Sequence, residues 1–339
     1  MKNAIGLVTV SALGAAFLVA TPASAADPIE LKFGYPPPPT TPYYQANALP
    51  WAKAVEDGSG GAVKITYFPG GAVANFRNVY DRVVNGVVDF GLGALQDQGD
   101  QFPRTDVGSL PFETENAVQS SLGLWRIFAS GVTAREFNGI KLLGLWGFPM
   151  NALHSAKPIA KPEDMKGVKT LVQTGMLGQA MTLYGATPVT LTVAEMYQGL
   201  ERGTASAIIL GWTAVAVYKM HEVVKYHLDL PLGTSIGYQF MNKDSYARLP
   251  QKAREAIDDA SGEMLSKAMG TTSDRSGNGT RDRTGAMPGQ TLTKIDAAEI
   301  ERWRRVLAPL TAQWVKNAPD GQKVLESFRA EVKRVKAGS

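Results

Sequence analysis

The stretch from residue 157 to residue 212 constrains the fold most, because strand and helix patterns alternate along it. The segments 168–172, 187–189 and 207–210 have the β-branched and apolar content of short strands. Between them, apolar residues recur at helical spacing over 175–184, and Thr192 followed by Glu195 has the spacing of a capping box that opens a second helix. Such alternation is typical of parallel α/β structure. The sequence therefore predicts an α/β fold.

The remaining elements are predicted from the same patterns. Strands are expected over 31–34, 63–68, 140–146 and 238–242, and helices over 43–56, 75–85, 115–129, 132–137, 245–265, 296–315 and 320–335. The segment 270–289 is polar and rich in glycine, which predicts a flexible loop.

The first 25 residues have the pattern of a cleavable signal peptide. Lys2 provides a positive start, residues 4–20 are mostly apolar, and Ala23-Ser24-Ala25 is a small-residue cleavage site. The apolar run is short and is interrupted by glycine, which favours secretion over a membrane anchor. We therefore expect a periplasmic protein, cleaved near Ala25, whose mature chain does not insert into the membrane.

Charge and cysteine content exclude several classes of protein. The chain has a formal net charge of +4, and Lys2 of the signal accounts for one of these charges. So small and dispersed an excess does not indicate nucleic-acid binding. With no cysteine in the sequence, thiol catalysis and zinc–thiolate sites are also excluded.

The sequence contains no convincing catalytic motif. Gly233-Thr234-Ser235-Ile236-Gly237 matches the G-x-S-x-G pattern of serine hydrolases, but a strand pattern follows it, and His154, His221 and His227 all precede Ser235. Gly91-Leu92-Gly93 lacks the third glycine of a dinucleotide loop. We therefore expect a binding protein that is not an enzyme and needs no cofactor or metal, with a Ser235 hydrolase as the alternative class.

Several short motifs, in order, resemble those of the solute-binding proteins of tripartite ATP-independent periplasmic (TRAP) transporters. They are Lys157-Pro158-Ile159, Pro162 to Gly167, Gly185 to Val189 and Glu195 to Gly203, preceded by Gly86 to Gly91 and Leu110-Pro111-Phe112. The resemblance extends over nearly the whole mature chain and is weakest after residue 270.

This resemblance implies a two-domain periplasmic binding protein of type II-like architecture. Mixed sheets flanked by helices are joined by a hinge, and a ligand cleft lies between the domains. We expect one domain over 26–149 plus about 236–270, and a second over 150–235 plus about 290–339 with the C-terminal helices.

The resemblance also implies where the ligand contacts fall. Family members that bind small carboxylates hold them with arginine, whose planar guanidinium suits a carboxylate. The matching positions here are Leu171 and Met150, a family asparagine falls at Leu210, and a family aromatic residue falls at Val193. Because an ionised carboxylate needs paired charges or several donors in a closed site, this apolar set predicts an aromatic or largely apolar ligand.

Other side chains are candidates for the remaining contacts of such a ligand. Flat aromatic surfaces could stack on it, and amides could orient its polar end. The candidates are Tyr35, Tyr43, Tyr44, Trp146, Trp212 and Tyr238 among the aromatic residues, and Gln96, Asn151, Gln173 and Gln239 among the amides.

The function expected from the sequence is therefore capture of a small organic molecule, with a monocarboxylate among the candidates, by domain closure and its delivery to the TRAP membrane permease subunits. A C4-dicarboxylate or a sugar acid is the alternative ligand. A sensory binding protein that hands its ligand to a receptor is a further alternative.

Overall fold

The computed structural model describes residues 27–173, 175–191 and 193–338, apart from the side chains of Val193 and Ala194. The predicted signal peptide and Thr192 lie outside the described residues. In chain order the strands are β1 (Ile29–Tyr35), β2 (Val63–Pro69), β3 (Phe90–Ala94), β4 (Lys141–Gly147), β5 (Asn151–Ser155), β6 (Lys169–Val172), β7 (Thr187–Thr190), β8 (Ala207–Gly211), β9 (Tyr226–Leu228), β10 (Ile236–Met241) and β11 (Thr291–Thr293).

The α-helices carry apolar residues at helical spacing, as the sequence predicts for most of them. They are α1 (Leu49–Gly58), α2 (Val79–Val84), α3 (Ala117–Ala129), α4 (Gly175–Leu183), α5 (Val193–Glu201), α6 (Trp212–Val217), α7 (Lys243–Arg248), α8 (Gln251–Asp259), α9 (Gly262–Gly285), α10 (Ala297–Val306), α11 (Ala308–Asn317) and α12 (Gly321–Lys336).

The strands form two mixed sheets. Sheet A has the order β2-β1-β3-β10-β4 and sheet B the order β11-β9-β5-β8-β6-β7. In sheet A, β1 is parallel to β2 and β3, whereas β10 is antiparallel to β3 and β4. In sheet B, β6 is parallel to β7 and β8, which confirms the parallel unit predicted over 157–212. The mixed α/β class with two helix-flanked sheets is therefore confirmed.

Helices cover both faces of sheet B because its side chains alternate between the faces. Val172 and Ile209 pack in one apolar core with Trp303 of α10. Leu171 and Ile208 pack in the opposite core, beneath α5 and α6.

Two segments carry the chain between the sheets. The first is 148–150, between β4 and β5, and the second is 229–235, between β9 and β10. They are joined by backbone hydrogen bonds, from Phe148 N to Ser235 O and from Asn151 N to Gly233 O, both 2.9 Å. The sequence predicts the strand at 140–146 but misses β5, which begins directly after the first crossing.

The predicted flexible loop over 270–289 is wrong for most of its length, because residues 262–285 form helix α9. Its glycines and small hydroxyl residues allow neighbouring elements to approach closely. A Cβ atom on Gly270 would lie 2.5 Å from Ser121 Oγ, and one on Gly277 would lie 3.0 Å from Pro149 Cβ. Ser273 is fully buried. The small glycine and serine residues that suggest a loop in the sequence instead allow α9 to pack closely against its neighbours.

Some predicted helices are divided in the structure. The segment 245–265 contains α7, α8 and the start of α9, and the segment 296–315 is divided at Leu307 into α10 and α11. The division into two domains stays a prediction. We propose one change to it: α12 belongs with sheet A, because Phe328 and Val332 pack in the same core as Leu124 of α3 and Phe240 of β10.

Candidate functional site

A small cavity lies where sheet A, sheet B and the second crossing segment meet. Sheet A and the turn 105–109 provide one wall, whereas β5 and α4 provide the other. The lining residues are Leu95, Gln96, Asp106, Ser109, Asn151, Leu177, Thr234, Ser235 and Ile236. The walls approach so closely that the free space is about that of one water molecule. We call this the inter-sheet cavity.

The crossing segment reaches this cavity because Gly233 permits a close approach. Its φ of +76° lies in the left-handed region, and a Cβ atom there would lie 2.1 Å from Ser109 O. Thr234 is then held by a hydrogen bond from its Oγ1 to the carbonyl oxygen of Phe148. The backbone thus brings Ser109 of one wall against the segment that joins the two sheets.

Among the described residues that line the inter-sheet cavity, Asp106 is the only ionisable one. Its carboxyl has a pKa raised to about 7, chiefly by burial, with smaller contributions from the nearby Glu136 and Asp100 and against a hydrogen bond from Ser109 Oγ that lowers it. Gln96 Oε1 is buried and has no hydrogen-bond partner among the described residues. The cavity therefore has a polar side whose groups are not all satisfied by the protein.

A second, larger cavity lies beside α9, on the outer side of the crossing segments. Its lining residues are Glu115, Asn116, Pro149, Met150, Trp212, Asp229, Leu230, Pro231, Ser273, Asp274, Gly277, Asn278 and Arg281. Its charged groups are already bonded within the protein. Asp229 accepts from Trp212 Nε1 at 3.0 Å and pairs with Arg281, and Asp274 accepts from the backbone N–H of Ala117 and Val118.

The structure distributes the predicted site residues over several places. Gln96 and Asn151 meet at the inter-sheet cavity, whereas Met150 and Trp212 lie at the second cavity. Leu171 and Leu210 are buried together in the core beneath α5, with exposures of 0% and 1%.

Three predicted tyrosines lie close together near the end of β1. The rings of Tyr35 and Tyr44 are 5.2 Å apart, and the hydroxyl of Tyr43 is 3.1 Å from Ser273 Oγ. Tyr44 is half-buried and is the most accessible of the three. This group lies on sheet A; it supplies no lining residue to either cavity, and Tyr43 meets the lining of the second cavity through Ser273.

The other predicted residues lie apart from the inter-sheet cavity. Trp146 and Tyr238 are fully buried in the packing of sheet A. Gln173 is half-buried after the end of β6, and Val193 opens α5. The roles of all these residues as ligand contacts stay predictions.

The hydrolase alternative gains no support from the surroundings of Ser235. His154 Nδ1 and His227 Nδ1 lie 2.8 Å apart, and their other ring nitrogens face Leu210 O and Gln290. His154 and His227 are therefore hydrogen-bonded to each other in sheet B, and neither is placed to act as a base for Ser235. The five-residue motif instead forms the crossing segment and the start of β10.

Sequence reasoning missed Asp106, Ser109 and Leu177. The three-residue spacing of Asp106 and Ser109 is a signal for a local side-chain hydrogen bond in a turn. It directly precedes Leu110-Pro111-Phe112, one of the family-like motifs. The turn packs against α4, where Ser109 Oγ lies 3.4 Å from Met176 Sδ. This tertiary contact cannot be read from the local sequence.

Comparison with known proteins identifies the family. The family described as bacterial extracellular solute-binding protein, family 7 (DctP), matches residues 33–317. A TRAP solute-binding protein from Rhodoferax ferrireducens T118, solved in complex with copurified benzoate, is 27% identical with a TM-score of 0.85, and the alignment covers 92% of this chain and 100% of that one.

A second solved structure, a TRAP periplasmic solute-binding protein from Bordetella bronchiseptica, contains bound (R)-mandelate and (S)-mandelate. It is 26% identical with a TM-score of 0.81, and the alignment covers 91% of this chain and 100% of that one.

Two relatives with sequence similarity over most of the chain carry different functional descriptions. The outer membrane transporter protein TsaT of Comamonas testosteroni is 28% identical over 86% of this chain and 88% of its own length. The C4-dicarboxylate-binding periplasmic protein DctP of Rhodobacter capsulatus is 24% identical over 84% of this chain and 86% of its own length.

In the part of the chain that the structure describes, no helix combines the length and the apolar character needed to cross a bilayer. Proteins of the matched family are periplasmic receptors that bind small organic ligands and deliver them to membrane permease components. The match extends over most of the chain, and the two sheets with their crossing segments are the architecture of the solved relatives. The chain belongs to family 7 of the bacterial extracellular solute-binding proteins, the DctP family of TRAP transporter receptors.

Proposed function

We propose that this TRAP receptor captures an aromatic monocarboxylate in the inter-sheet cavity. The observation that carries the proposal is the chemistry of the lining: Leu95, Leu177 and Ile236 provide apolar surface, and in the described part of the chain no lysine, arginine or histidine lines the cavity. A flat apolar body gains from burial against such a surface at about 25 cal/mol per Å². The benzoate and mandelate complexes of the two solved relatives support the same ligand class.

A C4-dicarboxylate is the second candidate, favoured by the similarity to the C4-dicarboxylate-binding protein of Rhodobacter capsulatus. Such a ligand brings two ionised carboxylates, and each loses several kcal/mol of solvation in a closed site unless charges or donors replace the water. The lining residues that the structure describes offer hydroxyl and amide donors but no cation. One carboxylate is therefore compatible with this cavity, and two are not.

The cavity opens when the sheets separate about the crossing segments 148–150 and 229–235. In its present form it is too small for a benzene ring, so ligand uptake requires hinge opening and closure. Closure about the ligand then forms the surface that the permease recognises. We also propose that the receptor has no catalytic turnover and that export removes residues 1–25, which the intact mass of periplasmic protein tests.

Isothermal titration calorimetry tests the ligand class. We expect benzoate and mandelate to bind, and succinate to bind at least 100-fold more weakly. Aromatic ligands of equal size without a carboxylate, such as toluene, separate the contribution of the ring from that of the charge. Tight binding of succinate together with undetectable binding of both aromatic acids would contradict the proposal.

A further inference from the structure

This inference rests on the proposed function and concerns how the ligand's charge is held. We propose that Asp106 binds the ligand carboxylate as a neutral carboxylic acid that donates a hydrogen bond, so that ligand binding takes up a proton from solvent. The carboxyl group would thereby replace an arginine as the specificity-determining contact.

The position of Asp106 supports this role. Its side chain lines the inter-sheet cavity beside Gln96 and opposite Asn151. One carboxyl oxygen, Oδ1, accepts a hydrogen bond from Ser109 Oγ, and no hydrogen bond to Oδ2 is found among the described residues. An O–H on that second oxygen would be free to donate to a ligand. Hydrogen bonds from a carboxylic acid to a carboxylate are among the short, strong ones.

The charged groups around Asp106 also favour the neutral form. Glu136 and Asp100 are both acidic, and Glu136 accepts from the backbone N–H of Arg104 and Thr105. Arg104, the nearest basic residue along the chain, points to Asp320 and bonds it at 2.7 Å.

The elements packed against the turn of Asp106 contribute apolar groups. Leu124 of α3 packs on Gly108, and Ile236 of β10 and Leu177 of α4 line the cavity itself. Phe328 of α12 lies in the same core as Val107. The next residue of α12, Arg329, is bonded to Glu113. Burial among these groups, with no compensating positive charge from the described residues, is the largest cause of the rise in the pKa of Asp106 to about 7.

An ionised Asp106 would repel a bound carboxylate, whereas a protonated Asp106 would bond it. An anion in the cavity therefore raises the pKa of Asp106 further, and protonation and binding become linked. Affinity should be constant while Asp106 is already protonated and should fall as the pH rises above about 7. Each additional pH unit should weaken binding by about tenfold until the pKa of the complex is reached.

Calorimetric titration with benzoate between pH 5.5 and 9, in buffers of different ionisation enthalpy, tests the inference. For the wild type we expect the tenfold weakening per pH unit at the upper end, with uptake of about one proton per ligand. Asp106→Asn should bind benzoate with a pH-independent dissociation constant and no proton uptake, because its amide still donates. Asp97→Asn, two residues beyond Leu95 and outside the lining, is the matched control and should keep the wild-type profile.

Ser109→Ala provides a second test that does not require Asp106→Asn to fold. It removes the bond that lowers the pKa of Asp106, so the decline in affinity should begin at a higher pH. Benzoate affinity that is independent of pH in the wild type, or that increases with pH, would overturn the inference while leaving the proposed ligand class intact. Failure of the wild type to bind benzoate or mandelate at any pH would overturn the proposed function instead.

Discussion

The core beneath α5 and the inter-sheet cavity illustrate two different uses of residues that the sequence assigns to one pocket. Leu171 and Leu210 stand where the family resemblance implies polar anchors, yet they are packed in a closed core with Met196. Gln96 and Asn151 line a cavity together with Asp106, and the buried Oε1 atom of Gln96 has no hydrogen-bond partner among the described residues. The apolar replacements thus pack in the core of sheet B, whereas our proposal draws the polar contacts to the ligand from the cavity.

The largest effect should come from placing a charge in the core. Leu171→Arg buries a guanidinium group where the side chain is fully excluded from solvent, so we expect a loss of about 3–5 kcal/mol of unfolding free energy. Urea denaturation measures this loss. Lys169→Arg, an exposed change in the same strand, should alter stability by less than about 0.5 kcal/mol. If Leu171→Arg kept native stability and bound succinate, Leu171 would be a wall of the ligand site.

A second effect distinguishes the two regions by their response to acid. Burial lowers the pKa of His154 to about 3, and its Nε2 donates to the carbonyl of Leu210 in the core. The unfolded chain binds a proton near pH 6.5, so this group stabilises the fold above that pH. Its contribution is lost as the pH falls towards 3.

The measurement is unfolding free energy against pH for the wild type, for His154→Gln and for His221→Gln. Between pH 6.5 and 3, His154→Gln should lose less unfolding free energy than the wild type, by up to about 4 kcal/mol. His221→Gln, which replaces a partly exposed histidine, should lose as much as the wild type. Asp106 changes the unfolding free energy in the opposite direction over about pH 4–7. Its raised pKa makes the folded state bind the proton more strongly than the unfolded state, so its contribution to stability increases as the pH falls. An equal acid response of all three proteins would show that His154 is not held neutral in the core.

The smallest expected effect comes from changing Gln96, whose amide lines the inter-sheet cavity. Gln96→Leu removes a buried oxygen that has no partner, so stability should not fall, while loss of an amide contact to the carboxylate should weaken benzoate binding by about tenfold. Calorimetry and thermal unfolding of the same preparation separate the two quantities. Gln179→Leu, exposed on α4, should change neither. Lower stability with unchanged affinity would assign Gln96 to the core.

The sequence predicts the α/β class well, because periodicity and glycine positions depend on neighbours along the chain. The unit β6–α4–β7–α5–β8 appears where its strands and helices are expected. The same reasoning fails for α9, since glycine and serine indicate a loop locally but serve close packing against Ser121 and Pro149 in the fold. Local composition does not reveal which neighbours a segment will meet.

The site is less predictable than the fold for the same reason. Gln96 and Asn151 can be anticipated as amides able to orient a polar end of a ligand, but Asp106 belongs to a turn that meets the crossing segment where Gly233 lies close to Ser109. Trp146 and Tyr238, in turn, have the chemistry of stacking residues and are used in the interior of sheet A. Residue type therefore indicates what a side chain can do, and tertiary packing decides whether a ligand meets it.

The most direct test of the central claim is a crystal structure of the protein with benzoate bound at pH 6. The account predicts a ring held between the sheets against Leu95, Leu177 and Ile236, with its carboxylate within about 2.5–2.7 Å of an Asp106 carboxyl oxygen. A carboxylate paired with a guanidinium, or a ligand bound beside α9 with the inter-sheet cavity still closed, would contradict it.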